Sequence, residues 1–144
     1  MPSDRALTAT EVADYITSTF PDTKVAQAMG ATFFSLTDNS WPNFATIVTT
    51  DEHDEGAPSQ LSARHTFRLN IGVGRDSFLA VARLAGPEPD YAAFDQLMPH
   101  PVYAQQRWVA IVNPTRVTFD QQVKPLLDEA FRRLARTLRR APTG

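Results

Sequence analysis

The chain has 144 residues, of which 42% are apolar and 21% are charged, and its formal net charge is −2. This length and composition are typical of one globular domain, which excludes global disorder and any need for a metal or disulfide to fold. Because cysteine is absent, disulfides, zinc–thiolate and iron–sulfur centres and cysteine nucleophiles are excluded as well.

The first predicted element is a helix from about Thr8 to Phe20. Thr8 and Glu11 have the spacing of a capping box, in which each side chain binds a backbone amide at the helix start. Val12, Ile16 and Phe20 recur every fourth residue and form its buried stripe. The proline after Phe20 ends the helix, because the residue before a proline disfavours the α region.

Strands follow the helix. The segments 31–37 and 44–50 are rich in β-branched and aromatic residues, and the turn-forming residues 38–43 between them predict a hairpin. A weaker strand is predicted over 24–29, with Gly30 in its turn.

The polar segment 51–64 contains Gly56 and Pro58 and is predicted to be a mobile loop. The next strand, 65–73, alternates apolar and polar residues. A period of two with one polar face predicts a half-buried antiparallel strand.

Two short helices are predicted in the middle of the chain. The first is capped by Asp76 and ends near Gly86, and the second covers Asp90–Met98. The inner face of the first is predicted to consist of Phe78, Leu79, Ala82 and Ala85. The prolines on both sides of His100 then fix an extended connection.

The closing strand, 107–113, has apolar residues on both faces, which predicts a central position in the sheet. Thr118 and Gln121 form a predicted second capping box, and Pro125 is expected to loosen or kink the first turn of the last helix. The buried stripe of that helix comprises Val123, Leu127, Phe131, Leu134 and Leu138. The prediction is one α+β domain over residues 1–144, with a short tail at 141–144.

A candidate small-molecule pocket lies around His100, where Tyr103, Gln105 and Trp108 place amide and aromatic groups beside an imidazole held between two prolines. The structural alternative is that the prolines set a tight connection and His100 caps a neighbouring element.

Arg68 and Asn70 lie on the polar face of the strand 65–73. If this face is covered, Arg68 must find an anion, either a protein carboxylate or a ligand carboxylate or phosphate. If the face is open, both residues belong to its solvated side. His53 lies among acidic residues, but adjacent loop residues rarely converge on one ion, so neither a metal site nor a cofactor is predicted.

The last helix carries a basic face, formed by Arg132, Arg133, Arg136, Arg139 and Arg140. Such a face could contact a phosphate backbone. The alternative is a solvated surface whose arginines complement the helix dipole. Residues 1–60 carry nine acids and two bases, whereas residues 61–144 carry seven acids and twelve bases. This polarity either steers a charged partner or reflects two solvated faces.

Several stretches resemble a family of small bacterial proteins known only as a domain of unknown function. They are FPD (20–22), TFF (32–34), FATIVTTDEHD (44–54), FRLNIGV (67–73), LMPHPVYAQQRWVAIVNP (97–114) and TFDQQVKPLLDEAF (118–131). The most specific part is HPVYA…WV…NP. More distantly, the chain is similar to the MmcQ/YjbR group, whose polar His-x-Asn-Lys run is replaced here by residues 103–107.

That resemblance implies a CyaY-like fold, in which a small antiparallel sheet of about four to five strands is packed by N-terminal and C-terminal helices. It also implies the DNA binding that has been proposed for the group. Three hypotheses follow for a cytoplasmic protein without a membrane span. The first is a module that binds a small ligand or a partner in a pocket formed by His100, Tyr103, Gln105, Trp108, Arg68 and Asn70. The second binds nucleic acid through the last helix. The third is an enzyme that uses His100 as acid or base, assisted by Tyr103 or Arg68.

Overall fold

The computed structural model describes residues 5–38, 42–52 and 56–140, and for Arg140 the backbone alone. In chain order the elements are α1 (Ala9–Thr19), β1 (Lys24–Ala28), β2 (Ala31–Ser35), β3 (Asn43–Val48), α2 (Leu61–Arg64), β4 (Arg68–Gly72), α3 (Arg75–Ala85), β5 (Met98–Pro99), β6 (Trp108–Val112), α4 (Arg116–Thr118) and α5 (Lys124–Arg140). The tail at 141–144 and His53 lie outside the described residues.

The described strands form one open antiparallel sheet in the order β1-β2-β3-β4-β6-β5, which confirms the α+β class. Six strands are described instead of the four to five expected. The additional strand is β5, which lies where the helix over 90–98 was predicted. That helix prediction was wrong, because the amide of Asp95 donates to the carbonyl of Val112 and Met98 pairs with Ala110. These backbone groups therefore bind β6 and not one another.

The first three strands form a meander, which confirms the hairpin between β2 and β3 and the weaker strand before them. Met29 and Gly30 connect β1 to β2 with φ angles of 52° and 76°. Two positive φ angles match the twist of a two-residue hairpin turn. A Cβ at Gly30 would lie 2.6 Å from the Cγ2 atom of Thr50, so this position also requires glycine for space.

The capping box of α1 is confirmed. The amide of Glu11 donates to the hydroxyl of Thr8 at 3.1 Å, and the amide of Thr8 donates to the carboxylate of Glu11 at 2.9 Å. Arg5 binds the same carboxylate at 3.0 Å. The hydrogen bond from Arg5 and then the amide of Thr8 lower the pKa of Glu11 to about 2.

Asp76 does not cap α3, contrary to the prediction. The N-cap is Gly74, whose amide donates to the carboxylate of Glu129 on α5, while the hydroxyl of Ser77 donates to the other oxygen of that carboxylate at 2.6 Å. Docking against α5 therefore sets the start of α3. Of the predicted inner face, Phe78 packs against the core, whereas Leu79 is 40% exposed and the buried residue is Val81.

The predicted capping box of Thr118 and Gln121 was also wrong. The helical segment begins one turn earlier, with Thr115 as its N-cap, because the carboxylate of Asp95 accepts hydrogen bonds from both Thr115 and Thr118. The distortion expected from Pro125 takes the form of a π-helical turn over Phe119–Val123. Since proline has no amide to donate, the wider turn accommodates the missing bond.

The two faces of the sheet are covered differently. α1, α3 and α5 cover one face, and the main apolar core lies between these helices and the sheet. On the other face, α2 covers a smaller cluster of Ala31, Val48, Leu61 and Val112. β6 lies between β4 and β5 with apolar residues on both faces, as predicted for a central strand. Within the described ranges, no helix is both long and apolar enough to cross a bilayer.

Candidate functional site

The alternation of β4 sends its side chains to two different environments. Leu69 and Ile71 enter the core beneath the helices, whereas Arg68 and Asn70 lie on the opposite face. That face is covered, because Arg68 is only 1% exposed and Asn70 only 3% exposed. Of the two alternatives left open for these residues, burial is therefore the one observed.

A chain of hydrogen bonds holds the guanidinium of Arg68. Its Nε atom donates to Oδ1 of Asn70 at 2.8 Å, and Nη1 donates to the hydroxyl of Ser59 at 3.0 Å. Asn70 in turn donates from Nδ2 to the hydroxyl of Thr46 at 2.9 Å. Each of these groups is buried, so the bonds offset the cost of removing them from water and fix the orientation of the guanidinium.

Ser59 belongs to a segment whose backbone is held in place by hydrogen bonds. The carboxylate of Asp51 accepts hydrogen bonds from the amides of Leu61 and Ser62, at 2.8 and 3.1 Å, and so caps the start of α2. Leu61 and Ser59 are fully buried. The described end of the predicted loop 51–64 therefore forms part of the wall around Arg68.

His100 lies beside Arg68 and is 3% exposed. The amides of Val102 and Tyr103 donate to its Nδ1 atom at 2.9 and 3.0 Å, and its Nε2 atom lies 3.3 Å from Nη2 of Arg68. Its own amide donates to the carbonyl of Trp108 at 2.9 Å. The imidazole therefore does cap the adjacent turn, and it also faces the buried guanidinium.

Trp108 lies over Gly72, its partner across the β4–β6 ladder. A Cβ at Gly72 would lie 3.0 Å from Cε2 of the indole, so the absence of a side chain lets the ring approach the backbone of β4 closely. Tyr103 is 50% exposed, and its ring centroid lies 5.0 Å from that of His100. The two aromatic residues flank the imidazole near the surface.

These groups surround a cavity of about 470 Å³, which is within the size range of small-molecule sites. Its wall comes from β2, β3, β4, β6 and the segment 100–106. The lining residues are Ala31, Phe33, Asn43, Thr46, Val48, Arg68, Asn70, His100, Tyr103, Gln106 and Trp108. The cavity combines a polar floor with walls that are mainly aromatic and aliphatic.

Five of the six predicted pocket residues line this cavity, namely Arg68, Asn70, His100, Tyr103 and Trp108. Both glutamines of this segment are exposed, but the sixth predicted residue, Gln105, lies outside the cavity, whereas its neighbour Gln106 lines the wall. Both lie in a 3₁₀ turn, in which successive side chains point about 120° apart. Phe33, Thr46 and Ser59 were not predicted, although the alternation of β2 and β3 could have identified the first two.

The arginines of the last helix lie apart from the cavity. α5 packs on the opposite face of the sheet, where Leu127 and Leu134 are buried. Arg132 is paired with Asp128 at 2.9 Å, and Arg133 and Arg136 are exposed. The side chain of Arg140, the fourth arginine of the predicted nucleic-acid surface, is outside the described part of the chain.

A second cavity, of about 570 Å³, lies at the start of α1 and is lined by residues that include Thr8, His65 and Asn113. It is larger, but its histidine is exposed, and its lining includes no buried charged residue. The cavity around Arg68 is therefore the better candidate for a site that recognises a specific chemical group.

Comparison with known proteins gives one match. A family model described as a family of unknown function (DUF6194) matches residues 7–143, which is nearly the whole chain. No curated protein and no solved structure matches the chain significantly.

Proposed function

The chain belongs to the DUF6194 family of unknown function, and we propose that it is a binding module that holds a small molecule in the cavity around Arg68. One observation carries the proposal. Arg68 and His100, both buried, meet at the floor of a cavity whose walls include the rings of Phe33 and Trp108. A few oriented polar groups inside a mostly apolar concavity are the usual composition of a ligand site.

The free-energy cost of burying Arg68 and His100 supports a functional role for them. A sheet face built for stability alone carries well-packed apolar residues, as the helix-covered face does here. Burying a guanidinium and an imidazole is expensive, and apolar replacements of buried ionic groups are often neutral or stabilising. Polar groups that reduce stability in this way are typical of sites that bind a ligand.

The proposal is tested by a thermal-shift screen of the full chain against a metabolite library. A true ligand at about 100 times its Kd should add about 2.7 kcal/mol to the free energy of unfolding. Gln106→Phe places a ring at the cavity wall and should abolish the shift. Gln105→Phe makes the same change on the neighbouring exposed residue and should leave it intact.

Two results would count against the proposal. One is a library that produces no shift at all. The other is a shift of equal size in both glutamine variants, because the compound would then bind elsewhere on the protein.

Nucleic-acid binding through Arg132, Arg133, Arg136 and Arg140 remains the alternative proposal. It is supported by the exposure of Arg133 and Arg136, and it is weakened by the ion pair that Asp128 forms with Arg132. Anisotropy of a labelled DNA duplex at low salt tests it, since phosphate contacts are strongest there. Affinity that is unchanged in Arg133→Gln/Arg136→Gln would exclude this surface.

An enzyme that uses His100 is the third proposal. The two amides bound to Nδ1 hold the imidazole in one orientation in the wall of the cavity, which is what a side chain that acts as acid or base requires. No reaction follows from this geometry alone. His100→Gln, which keeps an N–H donor but cannot transfer its proton, would separate a catalytic role from a binding role.

We further propose that the resemblance to the MmcQ/YjbR group and to the CyaY-like fold concerns architecture, and that the protein acts in the bacterial cytoplasm. The antiparallel sheet covered by α1 and α5 supports the first part. An experimental structure superposed on members of that group tests the likeness, and fractionation of the native cell tests the location.

A further inference from the structure

We infer that the molecule held in the cavity is an uncharged aromatic compound, with its ring system between Phe33 and Trp108 and its polar end at the mouth, beside Tyr103 and Gln106. This inference rests on the proposed function and names the class of ligand for that same site. It follows from two aromatic rings in the cavity wall, from the uncharged polar groups beside them and from the hydrogen bonds that hold the polar groups of the floor.

The aromatic side chains of the cavity differ from those of the core. Beneath the helices, aromatic rings contact one another, mostly edge to face, with centroids 4.9 to 6.2 Å apart. These residues are Tyr15, Phe20, Phe44, Phe119 and Phe131. By contrast, the rings of Phe33 and Trp108 contact no other aromatic ring in the part of the chain that the structure describes, and both are only partly buried. Each therefore has ring surface available to an aromatic molecule that enters the cavity.

Phe33 and Trp108 lie on opposite sides of the cavity floor. Phe33 on β2 pairs with Thr46 on β3, and Thr46 pairs with Asn70 on β4, so these three residues form one row across the sheet. Trp108 lies on β6, beyond β4. Three strand spacings of about 4.8 Å place the backbones of β2 and β6 about 14 Å apart. Two rings on opposite sides of such a floor can hold a flat molecule between them.

The polar groups on residues 103–108 that line the cavity are uncharged. They are the hydroxyl of Tyr103, the side-chain amide of Gln106 and the indole N–H of Trp108, and none of these groups makes a hydrogen bond to another described residue. Tyr103 and Gln106 are exposed, so they border the mouth of the cavity. Together the three groups offer donors and acceptors, which suits a neutral substituent such as a hydroxyl, a carbonyl or an amide.

The polar groups of the floor are bound within the protein. Arg68 donates to Asn70 and Ser59, and Asn70 donates to Thr46. Nδ1 of His100 accepts from two backbone amides, and neither His100 nor Arg68 is free. An uncharged ring can lie above this floor with all of these bonds intact. A charged group would lose its water on entering and would have to compete with these partners for the buried groups.

The remaining wall and the size of the cavity suit a compact ring system. Ala31 and Val48 add aliphatic surface beside Phe33, and the volume of about 470 Å³ is ample for two fused rings. Contacts between aromatic rings are worth more than the apolar area that they bury. The cavity should therefore distinguish an aromatic ring from a saturated ring of the same skeleton.

Three probes with one two-ring skeleton separate these properties: 2-naphthol, its saturated counterpart decahydro-2-naphthol and the anion 2-naphthoate. Their affinities for the full chain are measured by ligand-observed NMR. We expect 2-naphthol to bind about two- to tenfold more tightly than the saturated alcohol, because ring contacts add to apolar burial. It should also bind more tightly than 2-naphthoate, because the carboxylate must give up its water.

Phe33→Leu keeps apolar surface in the cavity wall but removes the ring, so it should lower the affinity of 2-naphthol relative to the saturated alcohol. Phe94→Leu is the matched control, because Phe94 is an exposed ring that does not line the cavity. It should leave the relative affinities as they are in the wild type. A preference for 2-naphthol that is equally strong in both variants would contradict the inference.

A second measurement uses a protein with an unaltered cavity lining. The chain has two tryptophans, so Trp41→Phe leaves one indole ¹H–¹⁵N resonance and assigns it to Trp108. This resonance should shift as 2-naphthol is added to the wild-type protein, because the ring current of the bound compound acts on the nearby N–H. A resonance that does not move at saturation would overturn the inference.

The outcomes separate this inference from the proposed function. If the two alcohols bind equally, and both are excluded by Gln106→Phe, the cavity is a ligand site but does not select an aromatic molecule. If 2-naphthoate binds most tightly, the ligand is an anion and the inference fails. If none of the probes binds, the compounds found by the thermal-shift screen decide, since uncharged aromatic compounds support the inference and any other class contradicts it. If the screen also gives no shift, both the inference and the proposed function fall.

Discussion

The two faces of the same sheet contrast sharply, although their residues alternate along the same strands. In β4, Leu69 and Ile71 join an apolar core beneath the helices, while Arg68 and Asn70 form a buried polar group on the other side. In β6, Val109 and Ile111 enter that same core, while Trp108 lines the cavity. The side-chain period of two therefore places the apolar core on one face and the cavity with its polar groups on the other.

The contrast explains why both faces can be buried and yet differ in what they do. Apolar burial is nondirectional, so the face of the sheet beneath the helices tolerates any close packing of suitable volume. The polar face depends on direction, because each donor must meet an acceptor. A substitution on the first face should change stability without changing selectivity, and a substitution on the second should do both.

The largest effect on stability is expected on the face of the sheet that the helices cover. Ile111→Ala removes a fully buried side chain from the main core and should lower the free energy of unfolding by about 2–5 kcal/mol. Urea denaturation measures the loss. The relative affinities of ligands found by the thermal-shift screen should stay as in the wild type under conditions where the variant is folded, and changed relative affinities would show that the two faces are not independent.

A smaller loss is expected at the polar face. Asn70→Ala leaves the hydroxyl of Thr46 and Nε of Arg68 without the bonds that Asn70 makes to them, which should cost about 1–3 kcal/mol. Thr46→Val removes the other end of the second bond. A double-mutant cycle should show that the two changes are not additive, and purely additive losses would mean that the network is not cooperative.

Gly72→Ala tests whether the position of Trp108 in the cavity wall depends on the missing side chain of Gly72. The new methyl would approach the indole of Trp108 to 3.0 Å, so the ring must tilt, at a cost on the order of 1 kcal/mol. The fluorescence of Trp108, recorded with Trp41 replaced by Phe, should shift, and a ligand found by the thermal-shift screen should bind more weakly. Adding Trp108→Phe should recover stability, whereas no recovery would locate the strain elsewhere.

The smallest effect is expected at the start of α1, away from the polar face. Arg5 and the amide of Thr8 lower the pKa of Glu11 from its ordinary value of 4.5 to about 2. A lowered carboxylate pKa contributes stability above the ordinary value, and this contribution is lost as the pH falls from about 4.5 to about 2. The carboxylate is exposed, so salt should weaken the contribution.

Glu11→Gln should therefore melt slightly below the wild type at neutral pH and at the same temperature near pH 2. Thermal melts across this range measure the difference. The affinity of a ligand found by the thermal-shift screen should not change, because α1 lies on the other face of the sheet. A difference in melting temperature that persists at low pH would mean that the variant acts through the capping geometry and not through the charge.

Local patterns predicted much of the fold. The capping box of α1, the meander of β1 to β3 and the alternation in β4 depend on neighbours in the chain, and all three are present. The errors occurred where distant groups compete for the same atoms. Asp95 binds Thr115 and so moves the start of the last helical segment, and Glu129 binds Gly74 and so displaces Asp76 as a cap.

The candidate site divides in the same way. The residue types around His100 indicated a candidate pocket, because amide and aromatic groups lie close in sequence to an imidazole between two prolines. For Arg68 and Asn70 the sequence left open whether their face of the sheet is covered. The meeting of Arg68 and His100 was not predictable, since 32 positions separate them along the chain. The sequence predicted Gln105 instead of Gln106, because a short 3₁₀ turn has no periodic pattern that shows which side chain faces the cavity.

The sequence by itself therefore determined the α+β class, the direction in which each strand side chain points and the residue types available for a site. Only the tertiary structure decided that the polar face of β4 is covered, and that β2, β3, β6 and the segment 100–106 form a cavity with it. The physical reason is that periodicity follows from the geometry of adjacent residues, whereas burial and hydrogen-bond partners depend on which distant segments arrive at the same place.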